Sequence, residues 1–231
     1  EVEQLETGGG EHPARRAALG HAEADAVLKG GLLCGAMHEV FAADGLNAGA
    51  ASGFALGLAR RVTQGRRFVL WVRQDFSALE AGDLSMTGFA ELGLDPRRLV
   101  AVHAPSSEMV LRIAADAVAC NALGVVVAEL FGEPRAFDLV TSRKLTLAAG
   151  AAGVTALMLR LGAVPHDRVG AQTHTILPAF LCVLCVLCGQ KCPSFVRNFS
   201  QKTRTFAEHV LEHGGRQWPG EQVALQFLAA V

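Results

Sequence analysis

The chain has 231 residues, 51% of them hydrophobic, and a formal net charge of −1 at pH 7. That is enough apolar material for a sizeable core, in one α/β domain or one domain plus an extension. The near-neutral balance excludes a global field that draws the chain to nucleic acid, so any DNA contact has to come from a local patch.

Residues 1–13, EVEQLETGGGEHP, are polar, acidic and Gly-rich and read as disordered. They carry no charged-then-apolar leader pattern. Ala14 to Leu28 has alanine-rich helical character, and Lys29 to Gly35 is a turn into the apolar run Met37–Phe41. Gly53–Arg61 reads as a helix ending in two arginines. Arg67–Val72 is a buried strand followed by Arg73-Gln74-Asp75, and a short helix lies within 82–93. Leu99–His103 is a third strand. Pro105-Ser106-Ser107-Glu108 starts a helix, with Ser as N-cap and an acid in the first turn, that runs to about Ala122 with Val110, Ile113, Ala117 and Val118 on its apolar face. Gly124–Ala128 is a fourth strand closed by Glu129. Asp138–Ala149 is helical, with Leu139, Leu145 and Leu147 inward and Arg143 and Lys144 outward. Val154–Leu159 is a fifth strand closed by Arg160. Strands that alternate with helices and read as continuous apolar runs predict a mostly parallel sheet covered on both faces. Ligands of such sheets bind beyond the carboxyl ends of the strands, here near Asp44–Ser52, Arg73–Asp75, His103, Glu129 and Arg160.

The stretch Met37–Arg61, MHEVFAADGLNAGAASGFALGLARR, is strand, small-residue loop and helix. A RecA-type ATPase places its phosphate loop at such a junction. A working Walker A needs Gly-Lys-Ser/Thr there, with Lys on the β/γ-phosphates and the hydroxyl on magnesium. This junction is read as Ala50-Ala51-Ser52-Gly53, and no lysine lies between Lys29 and Lys144.

Taken together, GGLLCGAMHEVFA, AASGFALGLARR, FVLWV, LGLDPRRLVAV, VVVAELFG and TSRKLTLAAGAAGVTALMLR resemble the inducible-mutagenesis protein A (ImuA) family, a divergent branch of the RecA-like fold. The likeness covers about residues 17–162. It implies a RecA-like, P-loop-type α/β core over residues 14–165 with a degenerate phosphate loop. It also implies an accessory role in SOS-induced mutagenic translesion synthesis, and the lack of a leader pattern or a bilayer-length apolar run makes the cytoplasm the expected compartment. The implied partners are an ImuB-like polymerase adaptor and an error-prone C-family DNA polymerase, with RecA and DNA as further candidates and no membrane. The second reading is an ATP-dependent, RecA-like DNA-binding protein.

The degenerate nucleotide-site positions are Ser52, Asp75, Glu129 and Arg160. Ser52 is the only hydroxyl left at the junction, or small residues there serve close packing alone. Asp75 stands where a catalytic carboxylate would act on a held phosphate, or is a solvated loop acid. Glu129 stands at the Walker B position as a metal-site carboxylate, or caps a buried strand. Arg160 stands at a sensor position, or is a surface arginine. Arg73 binds an anion or pairs with Asp75. His38 reads as a satisfied structural histidine. Without the lysine the expectation is no hydrolysis, hence no catalytic residue and no cofactor, with ATP as the alternative. Basic pairs at Arg15-Arg16, Arg60-Arg61, Arg66-Arg67, Arg97-Arg98 and Arg143-Lys144 are phosphate contacts if they share a face, and otherwise solubility and helix capping.

The tail, 166–231, does not continue the resemblance and its structure is left open. Its apolar run Ile176–Cys188 contains Pro178 and is too short to span a bilayer. Cys182, Cys185, Cys188 and Cys192, followed by Pro193, have the spacing of a bacterial ferredoxin run. An iron–sulfur or zinc site is therefore the third reading. Val-Leu spacers and the single copy of the run favour instead an apolar segment rich in buried cysteine. A tail foreign to the family, as from a shifted reading frame, is also open, and the coding DNA in all three frames distinguishes it. Phe206 and Val210 lie at helical spacing among basic residues and form the candidate partner-binding helix. The acidic, Gly-rich N-terminus lacks an apolar strand that could dock on a neighbour, which predicts no RecA-like filament.

Overall fold

Each of the five apolar runs between Met37 and Leu159 becomes a strand, and the small-residue helix after the first of them lies across the strands. The computed structural model describes residues 15–42, 48–64, 67–163, 173–177 and 223–225, the last two segments as backbone. In chain order the elements are β1 (Arg16–Ala17), α1 (Ala22–Val27), β2 (Leu32–Leu33), β3 (Met37–Ala42) and α2 (Ala48–Thr63). Then come β4 (Phe68–Gln74), α3 (Asp75–Ala81), α4 (Met86–Glu91), a 3-10 turn (Pro96–Arg98), β5 (Leu99–Ala104) and α5 (Ser107–Val118). The rest are β6 (Leu123–Phe131), α6 (Leu139–Ala152), β7 (Thr155–Leu161), β8 (Thr173–Leu177) and β9 (Val223–Leu225).

One sheet has the order β5-β4-β6-β7-β3-β8-β9, and every neighbouring pair in it is parallel. Its five strands up to β3, with their helices, form an α/β fold consistent with a RecA-like core. β1 and β2 make a separate antiparallel pair. Parallel strands need crossovers, and these helices supply them, which is why the central strands are covered on both faces. Phe54, Leu58 and Val62 of α2 pack on Val40, Trp71, Val127 and Leu159. On the other face, Val110, Ala114 and Val118 of α5 and Leu145 and Ala149 of α6 pack on Met37, Val72, Val126, Ala128 and Met158. Among the described residues no helix is long and apolar enough to cross a membrane.

Local chemistry sets the helix ends. Ser106 Oγ accepts from the Met109 amide at 3.3 Å, and Asp138 Oδ1 accepts from that of Thr141 at 2.8 Å. Each satisfies an amide that the first helical turn leaves without an intrahelical partner. Gly153, at φ 66°, closes α6 in the left-handed conformation.

Several expectations are corrected. The helical reading of Ala14–Leu28 gives way to strand β1 and a six-residue α1, because Gly20 (φ 85°) turns the chain before His21 caps the helix. Helix α2 already includes Ala48, so the loop–helix junction lies before Ala50, and Ser52 sits inside the helix rather than at its start. Arg73 and Gln74 belong to β4, and Asp75 opens helix α3 where the sequence predicts a loop acid. Leu139 and Leu147 face solvent while Ser142, Leu145 and Ala149 are buried, since 142, 145 and 149 share a helical face and 145 and 147 do not. The region after residue 166 contributes β8 and β9 to the sheet edge beside β3.

Candidate functional site

Four charged side chains lie inside the sheet layers, and they pair. Arg73 NH2 is 3.0 Å from Glu129 Oε1, with side-chain exposures of 4% and 0%. Glu129 Oε2 accepts from Trp71 Nε1 at 3.0 Å, and Arg73 NH1 donates to the Gly82 carbonyl at 2.7 Å. β4 and β6 are neighbours in a register that sets Arg73 beside Glu129. The second pair is Arg160 NH1 to Glu39 Oε1, at 2.9 Å. The Arg160 guanidinium also lies 4.9 Å from the Phe137 ring centroid and 5.6 Å from that of Phe41, within cation–π range.

The two pairs lie on opposite faces of the sheet. Side chains alternate along a strand. Trp71 packs in the core under α2, which puts Arg73 and Glu129 on that face. Met37 and Met158 pack under α5 and α6, which puts Glu39 and Arg160 on the other. The crevice anticipated from sequence therefore does not gather Glu129 and Arg160. Glu129 is not the exposed cap of a strand, and Arg160 is not a surface arginine. Arg73 pairs with Glu129 rather than Asp75. Asp75 itself is 61% exposed, with His103 Nδ1 4.0 Å away.

A cleft of about 360 Å³ runs along α2. Gly49, Ser52, Gly53 and Leu56 line it at i, i+3, i+4 and i+7 of α2, together with Leu84, Gly88, Leu92 and Arg73. A Cβ added at Gly49 or Gly53 would touch nothing within 4 Å, so the glycines leave open space rather than admit a neighbouring side chain. Arg73 Nε has no hydrogen-bond partner among the described residues. Ser52 is thus a cleft-wall residue. Residues 43–47 of the loop lie outside the described residues.

His38 is buried, and its Nε2 lies 2.7 Å from the Leu33 carbonyl, which assigns the ring proton to Nε2. Burial drives its pKa down to about 4, against the raising effect of that hydrogen bond, and Arg16 adds to the lowering. Among the described residues no group of three or more His, Cys, Asp or Glu could hold a metal ion. Cys182, Cys185, Cys188 and Cys192, and Phe206 and Val210, lie outside the described residues.

Several described members of the basic pairs make local contacts. Arg15 donates to the Val62 carbonyl, and Arg16 to those of Leu28 and Gly31. Arg97 and Arg98 flank Asp95. Arg143 and Lys144 are exposed on α6.

The sequence reading missed Glu39 as the partner of Arg160, and Trp71 as a second donor to Glu129. A signal for both was present. Two acids and two arginines inside otherwise apolar strands need neutralising partners within the core.

No protein-family description matches the chain, and no curated protein does. Among solved structures it is similar to SulA from Pseudomonas aeruginosa. The likeness has 16% identity and a TM-score of 0.40, and covers 54% of this chain and 97% of that one.

Proposed function

We propose that this protein is an accessory factor of SOS-induced mutagenic translesion synthesis, a RecA-like domain that works by protein–protein contact without hydrolysing ATP. The observation that supports this most is the engagement of Glu129. Its two oxygens are taken by Arg73 and Trp71 inside the core, so the acid at the Walker B position is committed to structure. The same contact neutralises Arg73, the cation nearest the cleft. Asp75, the other acid at the strand ends, faces solvent. The start of α2 offers only Ala48, Gly49 and Ala50 where a phosphate loop would present Lys and a hydroxyl. The mutagenesis context comes from the resemblance of residues 17–162 to the ImuA family. It names an ImuB-like adaptor and an error-prone C-family polymerase as partners.

The experiment has two arms. ATP turnover is measured with and without single-stranded DNA, in the parent protein and in Asp75→Asn, whose exposed site leaves folding intact. Capture of an ImuB-like adaptor is measured with and without nucleotide. Turnover at background and capture independent of nucleotide are expected. Turnover well above background that falls in Asp75→Asn overturns the non-hydrolytic reading. Absence of capture at all concentrations overturns the partnership.

A further inference from the structure

Two helices present solvent faces of opposite charge built around exposed apolar side chains. On α3, Phe76, Leu79 and Glu80 stand at i, i+3 and i+4, with Asp83 just beyond the helix end. Leu79 is 84% exposed and Phe76 47%. From Gln74 to Leu94 the chain has four acids, Asp75, Glu80, Asp83 and Glu91, all exposed, and no Lys, Arg or His. On α6, Val140, Arg143, Lys144 and Leu147 stand at i, i+3, i+4 and i+7. Leu147 is 75% exposed and Val140 59%. The helix has two basic residues and no acid. Leu79, Leu147 and Val140 are the three most exposed large hydrophobic residues among those described.

None of Glu80, Asp83, Arg143 and Lys144 is in an ion pair among the described residues. α3 packs on β4 and β6, whereas α6 packs on α5, β7 and β3, so the two faces belong to different parts of the surface. Two exposed apolar side chains bordered by charge of one sign make a patch that a face of opposite charge, itself carrying two apolar side chains, complements. The matching face is on the same chain.

We propose that this protein associates with a second copy of itself, α3 of one molecule docking on α6 of the next. Leu79 and Phe76 meet Val140 and Leu147, while Glu80 and Asp83 meet Arg143 and Lys144. The contact is heterologous, so each copy keeps one unfilled face and the assembly grows beyond two unless it closes into a ring. It does not use the cleft along α2. It is also independent of the functional reading above.

The test is average molar mass by sedimentation or light scattering over about 1–200 µM, a range that reaches contacts smaller than a stable dimer interface. The full chain is compared with E80K/D83K and with R143E/K144E. These four side chains are exposed, and circular dichroism checks that folding is kept. The parent mass should rise with concentration past that of a dimer. The apparent dissociation constant should rise about tenfold from about 50 mM to about 500 mM salt. Each variant alone should stay monomeric, and an equimolar mixture should regain association, because each supplies the face whose charge the other requires. Leu79→Ser, which keeps every charge, should also weaken association at least several-fold. A monomeric parent throughout, association surviving in both charge variants, or a mixture that stays monomeric overturns the proposal.

Discussion

Glu129→Ala separates the structural role of this carboxylate from a catalytic one. Glu129 is fully buried between Arg73 and Trp71, at 3.0 Å from each. Its removal leaves the Arg73 guanidinium, 3% exposed, with a cation that only the Gly82 carbonyl faces among its hydrogen bonds. Breaking a buried pair by removing one partner costs about 3–5 kcal/mol. The orphaned Trp71 N–H adds about 1–3 kcal/mol, offset in part if a water enters the space. A loss of about 4 kcal/mol is a large share of the ~5–15 kcal/mol that holds a domain folded. Removing both charges should cost much less, because an apolar replacement of a buried pair is often neutral. Urea titration followed by tryptophan fluorescence reads the difference, since Trp71 lies at the pair itself. The expected order is parent, then Arg73→Met with Glu129→Leu, then Glu129→Ala, with the double variant recovering more than half the loss. A Glu129→Ala loss below about 1 kcal/mol would show that the pair contributes little, and the structural account of Glu129 would fail.

His38 gives a pH signature. Its ordinary pKa of 6.5 falls to about 4 in the folded protein, so between those values the unfolded chain binds the extra proton and stability falls as pH falls. From about pH 7.5 to about pH 5.5 the loss from this group is about 1.3 kcal/mol, and it levels off below about pH 4. Chemical denaturation of the parent against His38→Leu at the two pH values isolates it, and equal slopes in both proteins would refute the assignment. Gly31, at φ 121°, holds its α-carbon against the Ala17 backbone, so a methyl there meets main chain that cannot move aside. Gly31→Ala should destabilise by at least about 2 kcal/mol, read as a lower Tm, whereas Gly153→Ala, left-handed with open space around it, should cost only its backbone strain of about 1 kcal/mol. For the cysteine run, the purified protein should be colourless and keep its circular dichroism in chelator. Brown protein whose stoichiometric iron is lost in Cys185→Ser would refute that.

Much of the architecture was legible from pattern alone. Runs such as Val125–Ala128 and Thr155–Leu159 have no polar alternation, which is the mark of strands buried on both faces. The Ser106-Ser107 pair marks a helix start because a side-chain oxygen one residue before a helix answers a local amide need. Local need did not reveal α3, whose seven residues DFSALEA carry a solvent-facing Phe and Leu that no amphipathic pattern explains. The inward face of α6 was misread for a related reason. Leu147 is as hydrophobic as Leu145, and only the packing against α5 and the sheet decides which of them is covered.

The sequence by itself determined the strand-and-helix alternation and the parallel sheet. It also determined the absence of a lysine at the loop, because each of these is written in residues close together along the chain. Which charges meet was decided by the tertiary structure. Glu39 and Arg160 are 121 residues apart, and Arg73 and Glu129 are 56 apart. Strand order makes β3 the neighbour of β7 and β4 the neighbour of β6, and strand alternation then assigns each pair to its own face. A buried charge requires a partner, but nothing local says which one. The sheet, by placing β4 beside β6, turned a candidate metal ligand into the counterion of an arginine.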